Sequence, residues 1–301
     1  MVSSTTETVD DQLWSSKQPS VELSTRQMER VGHEVLAFYR DLPFNYRVAP
    51  NHHADAIRSK NQLLQYSPLV HHLKPKTSLL DVGCGAGWLS LSAAWHYGCQ
   101  VTGIDFNPVA VERARAVAEI LSLPVSFSTA DLFQFEAQTK FEIVTSIGVL
   151  HHTNDCLGAI SRICSNFVQP GGHLFIGLYH RYGRKPFLDH FRQLRASGAS
   201  EEEMLEDYRR LHPLDDETHL RSWFRDQVLH PHETQHTLAE MLPVLQDAGM
   251  TLTSTSINRF GPIDDPAAVA ATEDSLRDVG EQRLKQGRYF PGFFVFLARK
   301  G

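Results

Sequence analysis

Asp81 stands two residues ahead of three alternating glycines, in Leu79-Leu80-Asp81-Val82-Gly83-Cys84-Gly85-Ala86-Gly87-Trp88-Leu89-Ser90. Glycine has no Cβ and tolerates positive φ, so such a turn brings the backbone close to a ligand. A helix starting after it points free N–H groups back at that ligand. A generic strand–helix connection would use glycine here as well. The spacing is G-x-G-x-G, whereas a pyrophosphate binder carries G-x-G-x-x-G and keeps its turn open to anionic oxygens. Asp81 puts a negative charge beside the turn, which would repel phosphate and suit a cationic ligand.

Further carboxylates repeat the placement. Gln100-Val101-Thr102-Gly103-Ile104-Asp105 is a short strand that ends in an acid, followed by Phe106-Asn107-Pro108. Asp105 follows Gly87 at roughly the 20-residue interval at which a dinucleotide fold places its ribose-binding carboxylate. Val125–Ala130 reads as a third strand ending in Asp131-Leu132, where a carboxylate can accept from an exocyclic amine or cap a helix. Phe141–Ile147 reads as a fourth strand, followed by Gly148-Val149-Leu150-His151-His152-Thr153. A histidine there could take a proton from an acceptor oxygen or nitrogen, or could pack and cap the next helix. The proton-transfer reading suits His151 more than His152, because neighbouring side chains diverge around a turn.

The stretch Ser222–Thr237 is dense in hydrogen-bonding groups. Within it His232-Glu233-Thr234-Gln235-His236 matches H-E-x-x-H literally. Pro231 would set the first histidine at a helix start, and a zinc protease needs a third ligand and another fold. The doublets His52-His53 and His71-His72 lack a carboxylate or cysteine at ligand spacing. No metal is therefore expected. The segment reads better as a lid strap whose polar groups hold an acceptor.

The elements that position these groups alternate between strand and helix. Ala86–His96 and Pro108–Leu121 are the first two crossover helices, the second opened by Asn107 as cap and Pro108 at the first helical position. Such alternation predicts a parallel, doubly wound sheet, on which ligands bind outside the carboxyl ends of the strands. Asp81, Asp105, Asp131 and 147–152 all fall at such ends. Upstream, helices are expected over 21–40 and 54–69, with an aromatic, proline-broken segment around Phe44 and Tyr46. Its rings either close a cap or attract a cation through their faces. Downstream, Gly171-Gly172 leads into a fifth strand ending at Tyr179, followed by the basic, aromatic stretch 179–186 and a charged helical segment over 187–229. A helix over 238–248, a strand over 250–257, a helix over 267–286 and a last apolar strand over 291–298 finish the chain.

The acid-x-G-x-G-x-G turn, Asp105, Asp131-Leu132, the 148–153 segment and the Gly171-Gly172 turn come in an order that resembles the class I S-adenosylmethionine-dependent methyltransferases. The resemblance is close over about residues 60–180 and loose elsewhere. It implies an α/β fold, a doubly wound Rossmann-like sheet of seven mostly parallel strands. A tail and N-terminal helical cap would occupy 1–58 and the methyltransferase domain 59–301. A lid or substrate insertion after the fifth strand would span about 181–236. The strap is similar to an Asp-Gln-x-x-His-Pro-x-Glu segment in a subgroup of bacterial methyltransferases.

The implied cofactor is S-adenosyl-L-methionine, held by Asp81, Gly83, Cys84, Gly85, Gly87, Asp105, Phe106, Asn107, Asp131, Leu132 and Ile147. Candidate catalytic groups are His151, His152, Tyr179 and Glu233. Candidate acceptor contacts are Tyr46, Tyr179, Arg184, Asp226, Gln227, His230 and His236. The expected reaction moves a methyl group to an O, N or S nucleophile of a small polar metabolite. Protein or tRNA methylation, and cofactor binding without transfer, are the alternatives.

Composition narrows the partners. The chain has 301 residues, 42% of them hydrophobic, and a net charge of −6. No basic stripe is visible, so nucleic acid is a poor partner. No apolar run is long enough to span a membrane. The polar 1–18 segment does not read as a signal peptide. The 4 cysteines form no C-x-x-C pair, which suits a reduced, cytoplasmic setting. The extra segment after the fifth strand builds an acceptor pocket, a lid or a dimer contact, so a homodimer is one option.

Overall fold

The computed structural model describes residues 33–40, 42–45 and 49–301. Seven strands form one sheet: β1 (Ser78–Val82), β2 (Gln100–Asp105), β3 (Ser126–Thr129), β4 (Phe141–Ile147), β5 (Val168–Tyr179), β6 (Met250–Thr255) and β7 (Phe293–Lys300). Their order is β3-β2-β1-β4-β5-β7-β6. β1 to β5 pair in parallel, and β7 runs antiparallel between β5 and β6. Strand order reverses between β1 and β4, which opens a crevice at their carboxyl ends.

Strands covered on both faces carry apolar side chains to each side, and β1 and β4 do so through Leu79, Leu80, Val82, Ile143 and Val144. Leu80, Val82, Val144, Leu174 and Ile176 belong to one core with Ile160, Ile163, Met241 and Leu245. Their alternates Leu79, Val101, Ile143 and Phe175 belong to a second core with Leu69 and Ala93. The period of two along each strand thus divides the side chains between two helical layers.

The helices are α1 (33–40), α2 (Pro50–Ser59), α3 (Ser67–Val70), α4 (Trp88–Tyr97), α5 (Pro108–Leu121), α6 (Cys156–Asn166), α7 (Arg181–Ala196), α8 (Glu201–Leu211), α9 (Glu217–Val228), α10 (Leu238–Asp247), α11 (Pro266–Ala270) and α12 (Leu276–Lys285). α5 has the expected bounds, and the Asn107 side chain caps it by accepting from Val109 N. α7, α8 and α9 lie between β5 and α10 and share a separate core of Phe187, Phe191, Leu205, Tyr208, Leu220 and Phe224.

Several elements depart from expectation. The helix expected over 54–69 is three pieces: α2, a 3-10 turn Gln62–Gln65 and α3. Lys60 is extended, Asn61 caps the 3-10 turn, and Pro68, which has no N–H to donate to a preceding turn, sits in the first turn of α3. The helix expected over 267–286 is likewise broken, into α11, a 3-10 turn Glu273–Ser275 and α12. The buried Glu273 turns inward there, accepting from Leu238 N at 2.6 Å and pairing with His180 at 3.0 Å. β5 begins at Val168, and its ladder with β4 shifts register before His173. Residues 232–236 do not form a helix, so His232 and His236 do not share a helical face. Tyr46, the 1–18 tail and the 21–32 part of the first expected helix lie outside the described residues. Among the described residues no helix is long and apolar enough to cross a membrane.

Candidate active site

The glycine turn is fastened to the end of β2. Gly83 N and Cys84 N both donate to Ile104 O, at 2.8 and 3.0 Å. Asp105 Oδ2 accepts from Gly85 N and Oδ1 from Asn107 N, each at 2.8 Å. A carboxylate has about four lone-pair positions, so each oxygen retains one for a further donor. The glycines differ in purpose. A Cβ on Gly83 would meet Val149 at 2.4 Å, whereas one on Gly85 or Gly148 would meet nothing within 4 Å. The turns after β1 and β4 therefore border open space. Both Gly85 and Gly148 have positive φ, at 52° and 76°.

Asp81 sits differently from the sequence-based picture of a charge beside the turn. It is 3% exposed, and its carboxyl accepts from Ser90 Oγ at 2.6 Å and Thr145 Oγ1 at 2.9 Å. Burial pushes it up to about 6, against those two hydrogen bonds. Burial also raises Asp105, opposed by the N–H groups of Asn107 and Gly85. Asp131 is exposed at the end of β3, where it accepts from Phe133 N and Gln134 Nε2 and so holds a turn. Leu132 beside it is buried. Phe106 and Ile147 are half-buried at the ends of β2 and β4. Cys84 is buried, and burial pushes its thiol up, which suits a filler of small size.

Beyond β4 and β5 lies a buried polar cluster. His151 and His152 form a 3-10 turn, Leu150–His152, and are 0% and 7% exposed. Asp226 and Gln227 come from α9 and Tyr179 from the last residue of β5. Tyr179 Oη donates to Asp226 Oδ2 at 3.3 Å, and Gln227 Nε2 donates to the same oxygen at 2.8 Å and to Tyr179 Oη. Asp226 Oδ1 lies 4.0 Å from His152 Nε2. The His230 ring stacks on His152 at 3.7 Å. Burial depresses His151, His152 and His230, so all three rings are neutral near pH 7. Burial raises Asp226, with His152 and the Tyr39 hydroxyl acting against it.

Arg184 and Glu233 frame this cluster. The Arg184 guanidinium is wholly buried and lies 3.9 Å from the centre of the Tyr179 ring. It donates to Glu233 at 3.1 and 2.8 Å, to Gln227 Oε1 at 3.0 Å and to Gln227 O at 2.7 Å. Glu233 takes a further donor from Gln235, and the Arg184 charge holds its carboxyl below the usual value despite burial. His236 lies apart, contacting Thr234 and Glu240.

Two tyrosines complete the cluster without having been singled out from the sequence. Tyr39 donates to Asp226 Oδ1, and Tyr289 donates to Gln227 Oε1 at 2.8 Å. Tyr39 comes from α1, whose end is held over β2 by Asn107 Nδ2 on Tyr39 O at 3.1 Å. Phe44 packs on Trp223, and Asn45 joins Trp88 to Trp223 through hydrogen bonds of 3.2 and 3.3 Å. Tyr39, Phe44 and Asn45 therefore bridge the glycine-turn side and α9. Among the described residues no group of three or more His, Cys, Asp or Glu side chains could hold a metal ion.

Comparison with known proteins places this geometry in a family. A Methyltransferase domain model matches residues 73–249. A ubiquinone biosynthesis O-methyltransferase of Stutzerimonas stutzeri is 36% identical over 105 residues, 34% of this chain and 44% of that protein. Its counterpart in Proteus mirabilis is 35% identical over 112 residues, 36% of this chain and 45% of that protein. In these alignments the chain spans less than half the length of the relatives. A solved structure of PKMT2 from Rickettsia typhi in complex with AdoHcy shares the fold, with a TM-score of 0.55, 17% identity, and coverage of 75% of this chain and 50% of that one. The matched segment holds the sheet up to its fifth strand, the glycine turn and Asp105, and with them the chain belongs to the methyltransferase-domain family as a class I S-adenosylmethionine-dependent methyltransferase.

Proposed function

We propose that this methyltransferase acts on an O, N or S nucleophile of a small polar metabolite, held between the ends of β4 and β5 and the strap that follows α9. The observation that carries this reading is the set of buried imidazole nitrogens beside the Gly148 turn. His151 Nε2, His152 Nε2 and His230 Nε2 have no hydrogen-bond partner among the described residues. A buried polar atom left so is costly unless a ligand satisfies it.

S-adenosylmethionine, when bound, supplies an electrophilic methyl group on a sulfonium. The residues fit it: Asp105 retains lone pairs for a ribose diol, and the Gly85 and Gly148 turns border open space. In this reading Asp105 orients the ribose, Asp131 and Leu132 flank the base, and Asp81 stiffens the glycine turn through Ser90. Glu233 serves by fixing Arg184, which in turn positions Tyr179 and Gln227. Much of the rate comes from holding the acceptor in line and excluding water. The matched relatives are named for O-methylation in ubiquinone biosynthesis. Their alignments cover only 34% and 36% of this chain, so the acceptor is read from this chain's own strap.

The test uses methyl-labelled S-adenosylmethionine with a pooled small-metabolite panel, total protein and total RNA as separate acceptors. Label is expected in the metabolite fraction and lost in Asp226→Asn, with cofactor binding retained. Label confined to protein or RNA contradicts the reading.

A further inference from the structure

The unpartnered nitrogens are not equivalent, because the backbone fixes which nitrogen of each ring carries the proton. His152 Nδ1 faces His232 O at 2.9 Å. A carbonyl only accepts, so the proton is on Nδ1 and the neutral ring presents a lone pair at Nε2. His151 Nδ1 accepts from Tyr179 N at 3.4 Å, and His230 Nδ1 accepts from His232 N at 3.1 Å. In these two rings the proton is therefore on Nε2. The cluster offers one imidazole lone pair and two imidazole N–H donors, all buried and all without a partner among the described residues.

We infer that this arrangement selects a hydroxyl as methyl acceptor, with His152 as its base and His151 and His230 as donors to its oxygen or to an adjacent oxygen. The inference rests on the small-molecule reading above and narrows it. A hydroxyl both gives a hydrogen bond, to His152 Nε2, and receives one from an N–H. The other nucleophiles fit poorly. An ammonium brings only donors, and the neutral amine it must become has a single lone pair, which cannot both accept from an N–H and attack the methyl group. A thioether has no proton for His152. A carboxylate would accept from His151 and His230 but would face the lone pair of His152 and the carboxyl of Asp226 4.0 Å away.

In the reaction the hydroxyl oxygen attacks the methyl carbon in line. The O–C bond forms as the C–S bond breaks, its electron pair going to sulfur. The hydroxyl proton passes to His152 Nε2, and the imidazolium so formed lies beside Asp226. The products are a methyl ether and a neutral thioether, and the proton leaves His152 for water.

The test reads protonation directly. Two-dimensional imidazole ¹⁵N–¹H correlation spectra of the labelled protein near pH 7 report the tautomer of each ring, assigned by His→Gln variants and by backbone connectivities. The expected pattern is a protonated Nδ1 on His152 and a protonated Nε2 on His151 and His230. A protonated Nε2 or a charged ring at His152 overturns the inference. Alongside, labelled methyl transfer is followed into separate pools of hydroxyl, amine, sulfur and carboxylate compounds. Label in the hydroxyl pool is expected, with kcat falling roughly 10²–10⁴-fold in His152→Gln while KM and cofactor affinity change little. Label confined to the amine, sulfur or carboxylate pool overturns the hydroxyl assignment and leaves the small-molecule reading intact. Label in none of the pools, with the cofactor bound, sinks the small-molecule reading and this inference with it.

Discussion

Asp81 and Asp105 are both strand-end carboxylates, and the fold uses them in different ways. Asp105 keeps acceptor capacity toward the open side of the glycine turn, while Asp81 spends its oxygens on Ser90 and Thr145. Asp81 is raised from 3.8 to about 6 by burial. Because the folded value is the higher one, its contribution to stability is fully present below about pH 3.8 and is lost as pH rises through about 6. A cationic ligand has the opposite preference, for the ionised carboxyl. Affinity for S-adenosylmethionine is therefore predicted to rise roughly fivefold between about pH 5 and 7, which is what lowering a pKa of about 6 by one unit gives over that range. Calorimetry across that range should show the rise flattened in Asp81→Asn. An unchanged slope in the variant would remove Asp81 from the linkage. At this scale Asp105 was legible because its interval after the turn is local. Tyr39 was not: it meets Asp226 across 187 positions, and a phenol in an amphipathic helix reads as core.

The elements were legible where a local rule decided them. α5 follows from Asn107 and Pro108, and β4 from the β-branched and apolar residues of Phe141–Ile147 ahead of the Gly148 turn. The break in the 267–286 helix was not, since Glu273 turns inward for donors on α10 and for His180, far away in the chain; the break in 54–69 has a local mark in Pro68. The strap was legible as unusual, and its course depends on partners such as His151 O, which accepts from Thr234 N at 2.8 Å. One backbone contact ties β7 to the start of α7. Gly292 has φ 63°, its carbonyl accepts from His180 N, and an added Cβ would lie 2.1 Å from Arg184 N. Flexible side chains cannot relieve a clash with backbone. Gly292→Ala is predicted to cost about 2–5 kcal/mol from overpacking and strain together. Denaturant unfolding measures it, and a loss under about 0.5 kcal/mol would contradict this account of how α7 docks.

At the scale of the molecule, two regions meet at the carboxyl ends of the parallel strands. The sheet with α4 and α5 presents the glycine turn and Asp105. The α7–α9 segment has its own core and brings Asp226, Gln227 and the strap to the other side. α1 and the residues after it touch both, through Asn107 and Trp88 on one side and Asp226 and Trp223 on the other. Sequence patterning made the first region readable because α/β alternation repeats the same rule. The second depends on contacts between distant helices, so its composition was visible and its assembly was not. The central claim is that the β1–β2 end of this sheet binds S-adenosylmethionine through Asp105. Calorimetry of wild type and Asp105→Ala, with unfolding midpoints measured alongside, tests it most directly. Wild type should bind stoichiometrically, and the variant, folded but without two charge-assisted acceptors, should bind on the order of a hundredfold more weakly. Equal affinity in the folded variant, or no binding by wild type, would contradict the claim.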